Sequence, residues 1–343
     1  MSNFSKIRNS ARLSIAPMMD WTDRHCRYFH RLLSKNALLY TEMVTSAALV
    51  RGGALHLLEY SAEEHPVALQ LGGSDPKELA KAAQLAERAG YCEVNLNVGC
   101  PSDRVQSGSF GAVLMKTPDL VAECCSAMRE AVDIEVTVKC RIGVDDQEPK
   151  EVLPDFLSRV SASGVSRFII HARKAWLQGL SPKENRDIPP LDYGLVHTMK
   201  DEFPDLHLSL NGGIGSLKEA KAALNAGLDG VMIGRAAYQR PYDILAGIDE
   251  EIFGDTGRVC SKEVVRQMLP YIERHVKDGG KLNQITRHML GLFAGQGGAR
   301  IWRRMLSERG HNSGAELVLE ALSNITPQVP ELHHRPAHLR MLS

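Results

Sequence analysis

The sequence predicts an α/β protein, a (β/α)8 TIM barrel followed by an all-helical domain. Three features carry that prediction. Eight short, apolar, β-rich runs recur along the chain, at residues 13–17, 38–43, 67–71, 92–97, 135–140, 167–171, 206–211 and 229–233. Helical stretches separate them, and strict alternation of strand and helix implies parallel pairing, with eight units closing a barrel. After about Tyr242 no further convincing strand occurs. A barrel of this kind takes about 250 residues, so about a hundred of the 343 remain for a second unit. The expected division is a barrel over 1–244, a helical domain over 245–330, and a loosely ordered tail over 331–343 with His333, His334, Arg335 and Pro336.

The helices carry their own punctuation. Asp75 and Pro76 read as N-cap and first helical residue, with Gly90 closing that helix. Thr117-Pro118 repeats the device. Ser216 with Glu219 reads as a capping box for a helix ending at Gly227. Ala82, Ala86 and Ala89 form a small-residue stripe suited to close packing on a strand. Beyond the barrel, 262–276 and 284–306 read as two helices.

Composition narrows the function. The chain is 43% hydrophobic and 24% charged, with 41 basic and 41 acidic residues, so no whole-molecule field draws in polyanions. Any affinity for nucleic acid must come from a local patch. Seven scattered cysteines without a C-x-x-C pair argue for a reducing compartment and against a disulfide framework or a zinc site. Residues 1–12 lack the apolar stretch of a signal peptide, and no apolar run approaches the roughly 18 residues of a membrane span. The expectation is a soluble, cytoplasmic protein with no membrane, no metal and no obligate protein partner.

Strands alternate faces with period two, and in a barrel the inward residues at the C-terminal strand ends build the site. Val136, Val138 and Cys140 share one face, while Thr137, Lys139 and Arg141 share the other. Val94, Leu96 and Val98 oppose Asn95 and Asn97. Gln70 points away from its apolar neighbours, and His171 ends the run Phe168-Ile169-Ile170. Any one of these could be a satisfied core polar group. The same pattern at the late end of four strands points to a site. Asn211-Gly212-Gly213-Ile214 and Gly234-Arg235 follow strands seven and eight, where such barrels commonly bind phosphate. Neither G-x-G-x-x-G nor G-x-x-x-x-G-K is present.

Cys100 lies just past strand four in Asn97-Val98-Gly99-Cys100-Pro101-Ser102. A thiol there could be a nucleophile, a metal ligand or an acid. No further metal ligands occur at suitable spacing, and a protonated thiol beside a flavin fits a reductase. Inert burial suits Cys124, Cys125 and Cys140 better than a Gly-Cys-Pro-Ser loop. Residues 274–309 hold Arg274, Lys277, Lys281, Arg287, Arg300, Arg303, Arg304 and Arg309 against Asp278 and Glu308, and the loop after strand six adds Arg173, Lys174, Lys183 and Arg186. Charge runs are usually solvated faces, but two that flank the barrel mouth favour RNA.

Several stretches together resemble one family. They are Ala16-Pro17-Met18, Trp21-Thr22-Asp23-Arg24-His25, Leu39-Tyr40-Thr41-Glu42-Met43, His65-Pro66-Val67-Ala68-Leu69-Gln70-Leu71, Asn95 through Ser102, and Val138-Lys139. Further along come Ile170-His171-Ala172-Arg173, Asn185-Arg186, Ile188-Pro189-Pro190 and Asn211-Gly212-Gly213-Ile214. On these the sequence resembles the tRNA-dihydrouridine synthases, specifically their A-type subfamily, over almost the whole barrel and more weakly in the helical region.

The resemblance implies FMN held by Pro17, Met18, Met19, Gln70, Lys139, His171, Asn211, Gly212, Gly213, Ile233, Gly234 and Arg235. It implies NADPH as reductant and D-loop uridines 20 and 20a of tRNA as substrate. Hydride would pass from reduced FMN to C6 of the uracil and a proton from Cys100 to C5, with Lys139 steadying the flavin and Asn97 contacting the target nucleotide. Lys183, Arg186, Arg300 and Arg303 would orient the tRNA. Two rival readings are an FMN barrel acting on a free pyrimidine, as a dihydroorotate dehydrogenase does, and a non-catalytic RNA-binding module. The basic helical region argues against the first, because a free base needs no such handle.

Overall fold

The computed structural model describes residues 3–102, 109–311 and 313–326. An N-terminal helix α1 (Asn3–Ser10) precedes eight strands: β1 (Leu13–Ile15), β2 (Leu39–Thr45), β3 (Val67–Gly72), β4 (Glu93–Val98), β5 (Glu135–Arg141), β6 (Arg167–His171), β7 (His207–Asn211) and β8 (Gly230–Ile233). All pair in parallel in the order β1-β8-β7-β6-β5-β4-β3-β2, and a parallel bridge between Ser14 and Leu38 closes the ring. The barrel expected from alternation is present, each strand within two residues of its expected limits. Between strands run α2 (Arg24–Leu33), α3 (Ser46–Val50), α4 (Pro76–Ala89), α5 (Pro118–Ala131), α6 (Pro149–Ala162), α7 (Tyr193–Glu202) and α8 (Leu217–Asn225).

The caps hold with two exceptions. Asp75 accepts from the Glu78 amide at 2.9 Å, and Gly90 closes α4 at φ 95°. Thr117 precedes α5 without a side-chain cap, its hydroxyl turned back to the Leu114 carbonyl at 3.5 Å. Ser216 caps α8 through the Glu219 amide, but the Glu219 carboxylate accepts from Gly215 rather than Ser216, so half of the box forms.

Packing separates the two faces of the sheet. Outward residues such as Val94, Leu96, Val98, Val136 and Val138 join the helices in one large apolar cluster that includes Ala82 and Ala86. The barrel interior holds only a small apolar cluster, Ala11, Ala16, Leu38, Tyr40, Ala68, Ile169 and Met232. Polar residues fill the rest. At the floor, buried Arg167 pairs with Glu93 and Glu135, and Tyr40 donates to Glu93 at 2.7 Å. Burial disfavours the Arg167 charge, but Glu93, Tyr40 and Glu135 hold it protonated. Thr137 donates to Glu93 at 2.5 Å and receives the Asn95 amide at 2.8 Å. Gln70 then donates to Asn95, and Asn97 to Gln70, each at 2.8 Å. From Glu93 upward the ladder pairs Thr137, Asn95, Gln70 and Asn97 in turn, as burial of polar groups demands. Glu135 Oε1 at the floor has no hydrogen-bond partner among the described residues and lies 3.7 Å from Arg8.

Past β8 come α9 (Arg235–Gln239), α10 (Pro241–Leu245), α11 (Ile248–Glu251), α12 (Ser261–Lys277), α13 (Leu282–Thr286), α14 (Ala299–Arg309) and α15 (Ala315–Ser323). The single helix expected over 284–306 is instead two, α13 and α14, parted by a glycine-rich turn. Gly298 has φ 87°, and a side chain there would strike the Asn324 backbone. A Cβ on Gly291 would meet the Gln239 carbonyl. The turn is thus a place where backbones meet, and helical periodicity across it was fortuitous. Residues 327–330, the end of the expected helical domain, and the expected tail at 331–343 lie outside the described residues.

The helical region docks on α2. Tyr28 stacks on Tyr271 with ring centroids 4.0 Å apart. Asp23 caps α2 with one carboxylate oxygen, accepting from the His25 and Cys26 amides at 3.0 Å. Its other oxygen accepts from Arg287 at 2.5 Å and lies 3.1 Å from His288 Nε2. Trp21 stacks on Tyr238 of α9, whose ring meets His288 edge-on. Among the described residues no helix is long and apolar enough to cross a membrane.

Candidate active site

At the C-terminal mouth of the barrel, β4 delivers Asn97 and then the cysteine loop. The Asn97 Oδ1 accepts from the amides of Gly99 (3.1 Å) and Cys100 (2.9 Å), so one side chain shapes the turn that presents the thiol. The Cys100 carbonyl accepts from Ala112, and Sγ lies 3.5 Å from the Ser102 hydroxyl, as its donor. The thiol is partly exposed, in contrast to buried Cys26, Cys124, Cys125 and Cys140. Asn97 spends one amide hydrogen on Gln70, and the other has no partner among the described residues.

Lys139 faces Asn97 across the β4–β5 register. Its ammonium has no hydrogen-bond or ion-pair partner among the described residues. Burial, reinforced by the Arg141 charge, lowers its pKa to about 8. His171, on β6, is buried, and its Nδ1 has no partner among the described residues. Burial first, then the charges of Arg141, Lys139, Arg173 and Arg186, hold this imidazole neutral. Asn211 donates to the Met232 carbonyl at 2.8 Å. Gly212 (φ 107°) and Gly213 (φ 72°) take left-handed backbone conformations that other residues adopt only under strain, and a Cβ on Gly212 would lie 3.1 Å from the His171 ring.

Pro17 and Met18 follow β1 half-buried, the Met18 amide donating to Thr22 at 2.9 Å, while Met19 is 56% exposed. Ile233 is fully buried, and Gly234 opens α9. Arg235 is committed to Asp187 at 2.7 Å. Gln70, Asn97, Cys100, Lys139, His171, Asn211 and Gly212 thus form one continuous surface. Lys183 and Arg186 are exposed on the loop after β6. Arg300 and Arg303 are exposed on α14, without ion-pair partners among the described residues, and are not part of that surface.

Period-two spacing from Lys139 puts Arg141 on the inward face without assigning it a role. The structure gives it one. Its Nε donates to the Gly99 carbonyl at 3.1 Å, and Nη1 donates to the Asn185 (3.0 Å) and Lys174 (3.3 Å) carbonyls. One buried guanidinium therefore fastens the cysteine loop to the loop after β6. Its contacts are carbonyls, not carboxylates. Lys139, Arg141, Arg173 and Arg186 converge while Asp187 is engaged by Arg235, which leaves the mouth electropositive. An imidazole nitrogen and an ammonium without partners among the described residues, with a glycine, Gly212, pressed against the imidazole, fit an anionic, ring-bearing cofactor.

Among solved structures, an old yellow enzyme homologue from Zymomonas mobilis superposes with TM-score 0.52 at 12% identity, over 73% of this chain and 90% of that one. A second, TcOYE with pHBA, gives 0.51 at 10% identity, over 67% and 86%. At such identities the likeness is one of fold. Sequence relatives reach further. The tRNA-dihydrouridine(20/20a) synthase of Shewanella oneidensis is 59% identical over 324 residues, 94% of this chain and 96% of its own. That of Escherichia coli K12 is 62% identical over 314 residues, 91% of this chain and 90% of its own. The family model described as dihydrouridine synthase (Dus) matches residues 14–326, almost the whole described chain, and the chain belongs to that family.

Proposed function

We propose that this protein reduces the C5–C6 double bond of uridines 20 and 20a in the tRNA D-loop to dihydrouridine, with FMN in the barrel mouth, NADPH as electron donor and the cytoplasm as its place of work. The observation that carries this reading is the Cys100 thiol, presented by Asn97 beside Lys139 and His171 Nδ1, neither of which has a partner among the described residues.

Pro17, Met18, Met19, Gln70, Lys139, His171, the 211–213 turn, Ile233, Gly234 and Arg235 would hold the flavin. When bound, it supplies the hydride equivalent that the uracil C6 receives. Cys100 gives its Sγ proton to C5, and the negative charge left on sulfur falls beside Lys139 and Arg141. Lys139 would be the cation available to offset the negative charge that reduction adds to the flavin. The second Asn97 amide hydrogen is available to the target nucleotide. Lys183, Arg186, Arg300 and Arg303 form the tRNA handle, with 245–330 as the tRNA-binding domain. Relatives named for positions 20 and 20a, at up to 63% identity, support this substrate over a free pyrimidine.

The test is the absorbance spectrum of the purified protein, paired with turnover of tRNA and of free uridine. A flavin spectrum and dihydrouridine formed in tRNA are expected, and comparable turnover of the free nucleoside would defeat the reading. Cys100→Ala is expected to keep the flavin spectrum and NADPH oxidation while losing about 10²- to 10⁴-fold in dihydrouridine formation, the usual range for a general acid. An undiminished dihydrouridine yield would remove the proton-donor role.

A further inference from the structure

Trp176 stands 39% exposed on the loop after β6 and belongs to neither apolar cluster. A single exposed apolar residue is ordinary, but tryptophan is enriched at contact surfaces, and the setting of this one sets it apart. Its backbone, by contrast, is tightly held. The amide of buried Asn185 closes on it from both sides, Oδ1 accepting from the Trp176 N–H at 2.7 Å and Nδ2 donating to its carbonyl at 2.9 Å. The residue before it, Ala175, is bridged to Val144, and the Leu177 amide donates to Asp145 at 2.8 Å. The ring therefore projects from a fixed base, so ordering it costs little when something binds.

Its place follows from Arg141. That guanidinium holds the Gly99 carbonyl, one residue before Cys100, and the Lys174 carbonyl, two residues before Trp176. Lys174 Nζ lies 5.4 Å from the Trp176 ring centroid, and exposed Lys183 and Arg186 follow on the same loop. An exposed, preorganised aromatic framed by cations is the combination that receives single-stranded RNA, the ring taking a base and the cations the backbone.

We propose that Trp176 is a stacking platform for a nucleobase flanking the target uridine, a positioning residue for the reaction. The inference rests on the tRNA reading above. Drawing a uridine out of its stack leaves the neighbouring base without a partner on one face. Trp176 supplies that face, and Asn185 and Arg141 fix it in register with Cys100.

The test uses the full chain and an unmodified tRNA transcript. Trp176→Ala is expected to raise the KM for the transcript about tenfold, within the range for loss of one base–aromatic stack. Trp176→Phe recovers most of the loss and Trp176→Leu does not, which separates stacking from apolar bulk. Binding of the transcript quenches tryptophan emission, and a distinct part of that quenching is absent from Trp176→Phe. A transcript with an abasic nucleotide beside the target loses affinity for the parent protein but shows no further loss with Trp176→Ala. An unchanged KM in Trp176→Ala, rescue by leucine as good as by phenylalanine, or additive losses with the abasic transcript would each overturn the proposal. A parent protein that makes no dihydrouridine defeats the proposed activity instead, and the quenching experiment still decides the stacking.

Discussion

Lys139 is a cation with no counter-ion among the described residues of the candidate site, and its pKa, lowered to about 8 chiefly by burial, reflects the cost of keeping it there. The sign of the pH dependence follows directly. Below pH 8 the folded chain carries the full penalty, and between about pH 8 and 10.5 the unfolded chain binds more protons, so stability rises with pH across that window and then levels off. Lys139→Met is therefore expected to stabilise the flavin-free protein at pH 7 by on the order of 1–3 kcal/mol and to flatten the rise above pH 8, while flavin content falls. Denaturant melts at pH 7 and 9.5, beside the flavin absorbance, read both effects, and a destabilised Lys139→Met would show that the ammonium has a partner in the folded state. His171 adds a dependence of the same sign in a lower pH window. Its depressed pKa means that the unfolded chain gains a proton as pH falls through about 6.5, so stability drops on the acid side. At this scale the inward set was readable because period-two alternation is local. Gln70, Asn95, Asn97, Lys139 and Arg141 announced their face, but not their partners. Asn95 proves to be a satisfied member of the internal ladder, and Arg141 acts through loops far from it in sequence.

At the scale of elements, strands and caps were legible because each rests on a few consecutive residues. The break between α13 and α14 was not, since Gly291 and Gly298 are required by backbones that approach from residues 239 and 324. Nor was the seam between barrel and helical region, where Asp23 meets Arg287 and His288 some 264 residues away. Hydrogen bonds from His288, Cys26 and Arg287 outweigh burial and hold the Asp23 carboxyl far below the usual range. It is therefore ionised through the neutral range and serves α2 as cap and α13 as counter-ion together. Asp23→Ala removes both roles and is expected to destabilise by about 2 kcal/mol, about 1 for the cap and the remainder for a partly exposed pair. Asp23→Asn keeps a capping oxygen and should cost about half as much. Thermal melts of the two variants decide the matter: equal losses would mean that the ion pair, not the cap, dominates.

For the whole molecule, charge is the quantity that matters, because a neutral chain must gather its cations to hold an RNA. The described structure sorts the basic residues of 274–309. Arg287 is bound to Asp23, and Arg309 forms two bonds with Glu320 at 2.7 and 2.9 Å. Arg300, Arg303 and Arg304 remain exposed on α14 at the i, i+3, i+4 spacing that puts guanidinium groups side by side. The sequence could count these charges but not tell committed from free, since that depends on carboxylates brought in by other elements. Free arginines on one helical face are suited to phosphates, and each phosphate neutralised releases counter-ions in proportion. Arg300→Ala combined with Arg303→Ala is thus expected to weaken tRNA binding most at low salt and to make the plot of log affinity against log salt shallower by about two. Arg309→Ala, which removes a structurally engaged cation, should leave that slope unchanged. A slope unaltered by the double substitution would make the α14 face a solvated surface and leave the loop after β6, with Lys183 and Arg186, as the principal hold on the substrate.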